Sequence, residues 1–139
     1  RFGVGAGKRG VVIFLTLGTG VGSGTFVDGV LVPNTEFGQM EIRGRPAERR
    51  SASAARVRKS LSWKAWAMDL DEHLERIEDL MWPDLFVVGG GVSRKAHKFL
   101  PLLQIRTPIV PAALENAAGI IGAALLATQT QDARGKHKG

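Results

Sequence analysis

The chain has 139 residues and no cysteine, and 44% of its residues are hydrophobic while 23% are charged. This composition is that of one globular domain, and it excludes a disordered chain, a disulfide-stabilised fold and any metal site built from thiolates. The net charge of +6 permits a polyanionic partner, such as nucleic acid, a phosphate polymer or an acidic membrane surface, without choosing among them. The sequence shows no apolar run of membrane-spanning length and no signal-peptide pattern, so it predicts a soluble cytoplasmic protein.

The first predicted elements form a β-meander in residues 10–33. Residues 10–18 (GVVIFLTLG) are rich in β-branched and aromatic side chains, as expected of a buried strand. The segment TFVDGVLVP then predicts two short strands joined at Asp28-Gly29, because Asp-Gly is a strong hairpin signal. The intervening stretch LTLGTGVGSG therefore lies at the first turn of the meander.

That stretch carries the glycines Gly18, Gly20, Gly22 and Gly24. Glycine inside a regular element costs roughly 0.5–1 kcal/mol relative to alanine, so this density indicates a backbone that approaches something closely. Exposed amide groups in such a turn form an anion-binding concavity, and the hydroxyl of Thr19 adds a donor. A bulged hairpin without a ligand explains the pattern equally well.

The centre of the chain predicts helices. Residues 47–59 are helix-compatible and basic, and Ser62 is placed to cap a long helix that runs to about Met81, where Trp82-Pro83 ends it. Apolar residues recur in this helix at steps of three and four, which predicts one buried face. They are Trp63, Trp66, Leu70, Leu74, Ile77 and Leu80 or Met81. The tryptophans of this helix are expected in the core rather than in a ligand cage.

A short buried strand is predicted by LFVVGGG, residues 85–91, and it ends in Gly89, Gly90 and Gly91. A helix is expected to follow from Ser93 to Leu100. Glycines that lead into the first turn of a helix can form a binding site for a phosphate or a ribose. A plain strand-to-helix turn without a ligand would have the same sequence.

The remaining elements complete an α/β or α+β order. Residues 107–110 predict a further short strand, and residues 115–128 (ENAAGIIGAALLAT) predict a helix that is buried nearly all round. Residues 132–139 are expected to form a flexible basic tail.

The segment NTEFGQMEIRG, residues 34–44, is polar and contains Glu36, Gln39 and Glu41. Carboxylates and amides at this spacing suit a polyol, whose hydroxyl groups each need a donor or an acceptor. An exposed loop would have the same composition.

Seven cations lie within the 17 residues 43–59. They are Arg43, Arg45, Arg49, Arg50, Arg56, Arg58 and Lys59. Such a run is typical of a solvated helix face; the alternative is a track for a phosphate polymer, since guanidinium groups pair well with phosphate oxygens. Residues 38–62 contain no aromatic side chain, so base stacking is poorly supported.

The three histidines, His73, His97 and His137, lie among charged residues. Without cysteine and without a metal-ligand spacing, all three are expected at the surface.

Four stretches together resemble one family in their order and spacing: LTLGTGVGSG, PNTEFGQME, DLFVVGGGVSRKAHKFLPLL and TPIVPAALENAAGIIGAAL. They are similar to the polyphosphate glucokinases, within the repressor–ORF–kinase (ROK) group of actin-like sugar kinases, from Arg1 to about Thr128. The resemblance implies an α/β fold: an actin-like ATPase (ribonuclease H-like) lobe with a mixed sheet and flanking helices, over residues 1–131. It also implies that the full-length parent has two such lobes and forms a homodimer.

The resemblance further implies an enzyme of cytoplasmic carbohydrate metabolism (glycolysis). Such an enzyme transfers a phosphoryl group from inorganic polyphosphate or ATP to the 6-hydroxyl of glucose, with Mg²⁺ accompanying the donor, and has no nucleic-acid or membrane partner. The alternative is a sugar-sensing ROK-type regulator without catalytic activity. Those relatives usually carry a cysteine cluster, so the absence of cysteine argues against it.

Site residues are carried over from the resemblance alone. Gly18, Thr19, Gly20 and Gly22 match the second phosphate loop of the family, and Gly89, Gly90 and Gly91 match the loop near the nucleoside end of the donor. Glu36 to Gln39 match the sugar-binding Glu-x-Gly-His signature, and Glu48 matches a further sugar-contacting glutamate.

Two departures from the family pattern matter. Gln39 replaces the signature histidine, which in zinc-containing relatives joins three cysteines on the metal, so no zinc is expected and sugar affinity or selectivity should differ. The family's first phosphate loop and its general-base aspartate precede the segment that Arg1 begins. We therefore assign no catalytic residue within the chain, and we expect a C-terminal portion that is inactive alone.

Overall fold

The structure, a computed structural model, describes residues 10–33 and 35–112, and a mixed five-stranded sheet forms its centre. In these residues the strands are β1 (Val11–Leu17), β2 (Val21–Val27), β3 (Val30–Val32), β4 (Glu41–Ile42), β5 (Arg45–Pro46), β6 (Leu85–Gly89) and β7 (Ile109–Pro111). The large sheet has the order β3-β2-β1-β6-β7, while β4 and β5 pair separately as a small ribbon. The α/β class with a mixed sheet is therefore as predicted.

The β-meander is confirmed in β1, β2 and β3, which pair antiparallel in sequence. Asp28 and Gly29 form the second turn with φ angles of 49° and 82°. Both angles are positive, as a two-residue hairpin turn of this kind requires, which explains why the Asp-Gly signal was reliable.

β6 and β7 add to the other side of β1 in parallel. The strand expected at residues 107–110 is present, but it is shifted to Ile109–Pro111. The carboxyl ends of β1, β6 and β7 consequently meet at one edge of the sheet.

Three α-helices lie between the meander and β6: α1 (Glu48–Ser51), α2 (Ser53–Arg58) and α3 (Trp63–Met81). α3 is confirmed as predicted, since the Ser62 hydroxyl accepts a hydrogen bond from the Ala65 amide and Trp82 ends the helix in the left-handed conformation. The basic stretch 47–59 is not one helix, because Ala52 is extended, with ψ 147°, and separates α1 from α2.

The helix expected from Ser93 to Leu100 was wrong in type. Two 3₁₀ helices, Gly91–Lys98 and Leu100–Leu102, occupy this region, and Lys95 interrupts the first with a ψ of 25°. Pro101 sits at the start of the second, where it removes an amide donor that a continuous α-helix would need.

The main core lies between α3 and one face of the sheet. Trp66, Leu70, Leu74 and Ile77 of α3 are completely buried, as the apolar spacing predicted. They pack against residues of β1 and β6 that point to the same face, such as Leu15 and Phe86. Burial of each such side chain contributes about 1.5–3 kcal/mol relative to exposure, so this face fixes where α3 lies. Leu80, the alternative to Met81 at the end of the apolar series, is exposed.

Among the described residues, no helix has both the length and the apolar character needed to cross a membrane. The helix predicted at residues 115–128 and the tail predicted at residues 132–139 lie outside the described residues, as does His137.

Candidate functional site

Two glycine loops lie side by side at the carboxyl edge of the sheet. β1 and β6 are parallel neighbours in which Thr16 pairs with Gly89, so the loop after β1 adjoins the loop after β6. Ligands of open α/β sheets bind outside the carboxyl ends of their strands. The structure thus brings Gly18–Gly20 and Gly89–Gly91 to the place where such a ligand would bind.

The first loop is a tight turn of three residues between β1 and β2. The Gly18 amide donates to the Gly20 carbonyl at 2.9 Å, and the Gly18 carbonyl accepts from the Ala54 amide at 3.1 Å. The Gly18 amide is thereby used inside the turn. The amides of Thr19 and Gly20 have no hydrogen-bond partner within residues 10–33 and 35–112, and Thr19 is exposed. Two donors therefore remain for a ligand.

Gly22 lies outside this turn, in β2, where it pairs with Thr16. A Cβ at Gly22 would lie 2.6 Å from the Thr16 Oγ1 atom, so the close approach that the glycine density indicated is here made by the protein itself.

Glu48 joins the first loop to the predicted sugar segment. Its Oε1 atom accepts from the Val21 amide at 3.0 Å, and its Oε2 atom accepts from the Gln39 side-chain amide at 2.6 Å. A Cβ at Gly20 would lie 2.6 Å from Glu48 Oε1, and one at Gly38 would overlap the Val21 carbonyl oxygen. Glycine at both positions lets the carboxylate lie directly against the loop.

The structure brings Gln39 and Glu48 together, whereas Glu36 is exposed and has no hydrogen bond among the described residues. The side chains of Gln39 and Glu48 present a carboxylate and an amide beside the Thr19 and Gly20 amides. Such an arrangement can orient a hydroxyl-bearing ligand next to an anionic one.

His73 is buried, with 2% of its surface exposed, so its predicted surface position was wrong. Its Nδ1 atom lies 2.7 Å from the Ser51 hydroxyl, and its Nε2 atom lies 2.8 Å from the Phe37 carbonyl oxygen. Because a carbonyl can only accept, Nε2 carries a proton. Burial lowers the pKa of His73, which favours the neutral ring. His73 thus fastens the Phe37–Gln39 segment to α1 and α3.

Helical spacing could have revealed this position, since residue 73 is three after Leu70 and four before Ile77, on the apolar face. His97 is exposed, as predicted.

The second loop is shaped by its contact with β1. A Cβ at Gly89 would lie 2.7 Å from the Phe14 ring, and Gly90 has a φ of +87°. Gly91 has open space around its Cα. Packing and backbone conformation therefore account for the first two glycines, and a donor-binding role for the loop is not needed to explain them.

Three of the seven clustered cations contact carboxylate or aromatic side chains. Arg43 forms a two-pronged ion pair with Glu72, with Nη2 to Oε2 at 2.8 Å, and this hydrogen bond lowers the pKa of Glu72 and raises the pKa of Arg43. Arg50 pairs with Asp69 at 2.7 Å and with Glu72 at 3.3 Å. The Arg56 guanidinium stacks over the Trp63 ring at 3.9 Å.

Within the described residues, the aspartates all have other partners. Asp28 and Asp84 accept amide hydrogen bonds from residues 10 and 11, at the amino end of β1. Asp69 and Asp79 face arginines, and Asp71 accepts from the Gln104 amide. No group of three His, Asp or Glu side chains in this part of the chain converges as a metal site would require.

The fold is that of ROK sugar kinases. A ROK family glucokinase from Streptomyces griseus, solved in complex with glucose and AMPPNP, superposes with a TM-score of 0.65 at 22% identity, over 90% of this chain and 63% of that one. The actin-like α/β lobe expected from the sequence is thereby confirmed.

Proteins of higher sequence identity to this chain are polyphosphate glucokinases and a glucomannokinase. The polyphosphate glucokinase of Mycobacterium tuberculosis (strain CDC 1551 / Oshkosh) is 50% identical over 125 residues, which is 90% of this chain and 47% of that protein. That of Mycobacterium leprae (strain TN) is 48% identical over 128 residues, covering 92% and 40%. The inorganic polyphosphate/ATP-glucomannokinase of Arthrobacter sp. strain KM superposes with a TM-score of 0.84 at 48% identity, covering 94% and 51%. No protein-family model matches the sequence.

The chain is therefore a homologue of the polyphosphate glucokinases and spans about half the length of the curated relatives that it matches.

Proposed function

We propose that the protein containing this chain is a phosphotransferase that passes a phosphoryl group from inorganic polyphosphate, or from ATP, to the 6-hydroxyl of glucose. The observation that carries the proposal is the contact of the Gln39–Glu48 pair with the first glycine loop, in a chain 50% identical to polyphosphate glucokinases. A hydroxyl-binding pair and free backbone donors then lie within one side chain's length of each other.

The first loop is assigned to the phosphoryl group in transfer. Its amides at Thr19 and Gly20 lie at the carboxyl edge of the sheet and have no partner among the described residues, while Gly18 closes the turn and Gly22 allows the strand behind it to pack. In phosphoryl transfer the protein mainly positions the reactants and neutralises charge, and backbone donors serve both purposes.

Gln39 and Glu48, together with Glu36 on the neighbouring exposed segment, are assigned to the sugar hydroxyls. Gly89, Gly90 and Gly91 are assigned to the nucleoside end of ATP when ATP is the donor. Positioning the hydroxyl in line with the phosphorus atom is worth several orders of magnitude in rate, which is the role of these contacts.

The general base is assigned to a residue outside 10–33 and 35–112, because each aspartate within those ranges is engaged elsewhere. Mg²⁺ is assigned to the donor phosphates, which are its usual partners in such reactions. The described residues form no cluster that would hold the ion by themselves, so none of the roles above depends on it.

We further propose that the chain is the C-terminal lobe, over residues 1–131, of a cytoplasmic homodimeric enzyme, and that it needs no zinc. The sugar-sensing regulator is not favoured. The similarity to a ROK family transcriptional regulator is 16% in sequence identity with a TM-score of 0.55, far below the 50% shared with the kinases.

A coupled assay that detects glucose 6-phosphate tests the proposal, with polyphosphate and ATP as separate donors. Glu48→Gln keeps the acceptor for Val21 but removes the charge, and it should raise the KM for glucose about 10- to 100-fold, since hydrogen bonds to charged groups contribute roughly 1.5–3 kcal/mol. Glu75→Gln, at an exposed position of α3, is the matched control and should leave KM unchanged. An unchanged KM in Glu48→Gln would contradict the sugar assignment.

The same assay addresses the isolated chain. We propose that the general base lies outside the 139 residues, and loss of a general base alone lowers a rate by about 10²–10⁴-fold, so the chain by itself should be at least that much slower than the full-length protein. A rate equal to that of the full-length protein would place the base within the chain and overturn that part of the proposal.

A further inference from the structure

A cavity of about 460 Å³ opens beside α1 and α2, and its lining consists of cations. The lining residues are Arg45, Arg49, Arg50, Arg58 and Lys59. They belong to the basic run of residues 43–59, but not every cation of that run lines the cavity. Arg43 and Arg56 point elsewhere, to Glu72 and to the Trp63 ring, and do not line the cavity.

The cavity is poor in compensating negative charge. Of its lining residues, only Arg50 has carboxylate partners among residues 10–33 and 35–112. In the part of the chain that the structure describes, Arg58 and Lys59 donate to the backbone carbonyl of Arg49, at 3.2 and 3.5 Å, and to no carboxylate. Like charges held around one space repel each other, and an anion with several charges relieves that repulsion.

The cavity and the first glycine loop share the same two short helices. Glu48 of α1 contacts Gly20 through its carboxylate, and the next residue, Arg49, lines the cavity. Ser53 of α2 donates to the Gly18 carbonyl at 3.3 Å, and Arg58 at the other end of α2 lines the cavity. Five residues of helix span about 7.5 Å, so a ligand of modest length reaches from one place to the other.

We infer that this cavity binds the remote phosphates of an inorganic polyphosphate chain whose reacting end lies at Thr19 and Gly20. The inference rests on the proposed function and extends it, because it gives the polymeric donor a second site that ATP does not use. Arginine suits this task, since its guanidinium can bind two phosphate oxygens at once.

The chemistry of the lining favours polyphosphate over a nucleic acid. Nucleic-acid grooves combine cations with aromatic side chains on which bases stack. Among the described residues, no aromatic side chain lines this cavity, and Trp63, the aromatic residue nearest to the basic run in sequence, is covered by Arg56.

The test measures the binding of long-chain inorganic polyphosphate to the protein that contains this chain, at several salt concentrations. The cavity variant is the double substitution Arg45→Gln/Arg49→Gln. Neither arginine side chain has a hydrogen bond within the described part of the chain, so the variant should keep the fold. The matched control is Lys64→Gln/Arg76→Gln, which removes two exposed cations of α3. Equal thermal unfolding of both variants and of the parent shows that the fold is intact.

The cavity variant should weaken polyphosphate binding by about tenfold or more, since two cations that neutralise phosphate charge are removed. The slope of log K against log salt should fall by about 1.4, because two phosphate contacts are lost. The control should change neither quantity. Equal affinities and equal slopes in the two variants overturn the inference.

Two further arms separate this inference from its alternatives. With single-stranded DNA as the probe, binding should be weaker than that of polyphosphate; tighter DNA binding that is lost in the cavity variant assigns the cavity to nucleic acid and overturns the inference. In the coupled assay, the cavity variant should raise the KM for polyphosphate and leave the KM for ATP unchanged. If no donor supports turnover in any variant, the proposed function fails, whereas the binding comparison still decides whether the cavity holds polyphosphate.

Discussion

Replacing Gly20 with alanine tests the contact that joins the first glycine loop to the sugar segment. A Cβ at this position would lie 2.6 Å from Glu48 Oε1, a distance that real Cβ atoms do not show. The Glu48 carboxylate must therefore move away, and it then loses its hydrogen bond to the Val21 amide.

The size of the effect follows from that lost bond. Val21 is buried, with 4% exposure, so water cannot replace the lost acceptor of its amide hydrogen bond. An unsatisfied buried donor costs about 1–3 kcal/mol. Alanine also lowers the conformational entropy of the unfolded chain, which stabilises the folded state by about 0.4–1 kcal/mol. The free energy of unfolding should consequently fall by about 1.3 kcal/mol, the difference between the middles of these two ranges.

Gly18→Ala is the matched control within the same turn. A Cβ at Gly18 meets no atom within 4 Å and its φ is not left-handed, so this variant should be as stable as the parent or more stable by about 0.4–1 kcal/mol. Urea denaturation, followed by circular dichroism, measures both variants. If Gly20→Ala and Gly18→Ala unfold at the same urea concentration, Glu48 does not lie against the loop and the site geometry is wrong.

Two further predictions concern buried polar residues. Burial lowers the pKa of His73 below its unfolded value of about 6.5, so the folded state binds fewer protons than the unfolded state. The free energy of unfolding should therefore decrease as the pH falls below about 6.5. His73→Gln should flatten this dependence in urea titrations at about pH 5–7. The Glu78 carboxylate, buried with 2% exposure, accepts from the amide and the hydroxyl of Thr107, so Glu78→Ala should lower the unfolding free energy by about 1–3 kcal/mol in the same measurement.

Each of these predictions has a neighbouring control. His97→Gln removes an exposed histidine and should leave the pH dependence unchanged, so an equal flattening in both variants would contradict the burial argument. Asp79→Ala removes an exposed carboxylate next to Glu78 and should change stability by less than about 0.5 kcal/mol. Similar losses for Glu78→Ala and Asp79→Ala would show that Thr107 does not depend on Glu78.

The sequence predicted the elements whose signals are local. The spacing of Trp66, Leu70 and Ile77 located α3, and Asp28-Gly29 located the second hairpin turn, because both signals depend on residues within a few positions of each other. The same holds for the buried strand that became β6.

Features set by distant contacts were not predictable in this way. Ala52 has no helix-breaking character, yet it separates α1 from α2, and the Ala54 amide just beyond it binds the Gly18 carbonyl. The resemblance to the family proposed Gln39 and Glu48 as sugar ligands, but their direct contact depends on how α1 is placed against β2.

The parallel pairing of β1 with β6 has a consequence for how the protein reaches its folded state. The two glycine loops come from segments far apart in the chain, and α1, α2 and α3 all lie between them. The chain must close a loop of that length before β1 and β6 can form their contacts, and the entropy cost of this closure slows folding. A ligand that touches both loops should therefore bind only after β6 has joined β1, and it should retard unfolding more than it accelerates refolding.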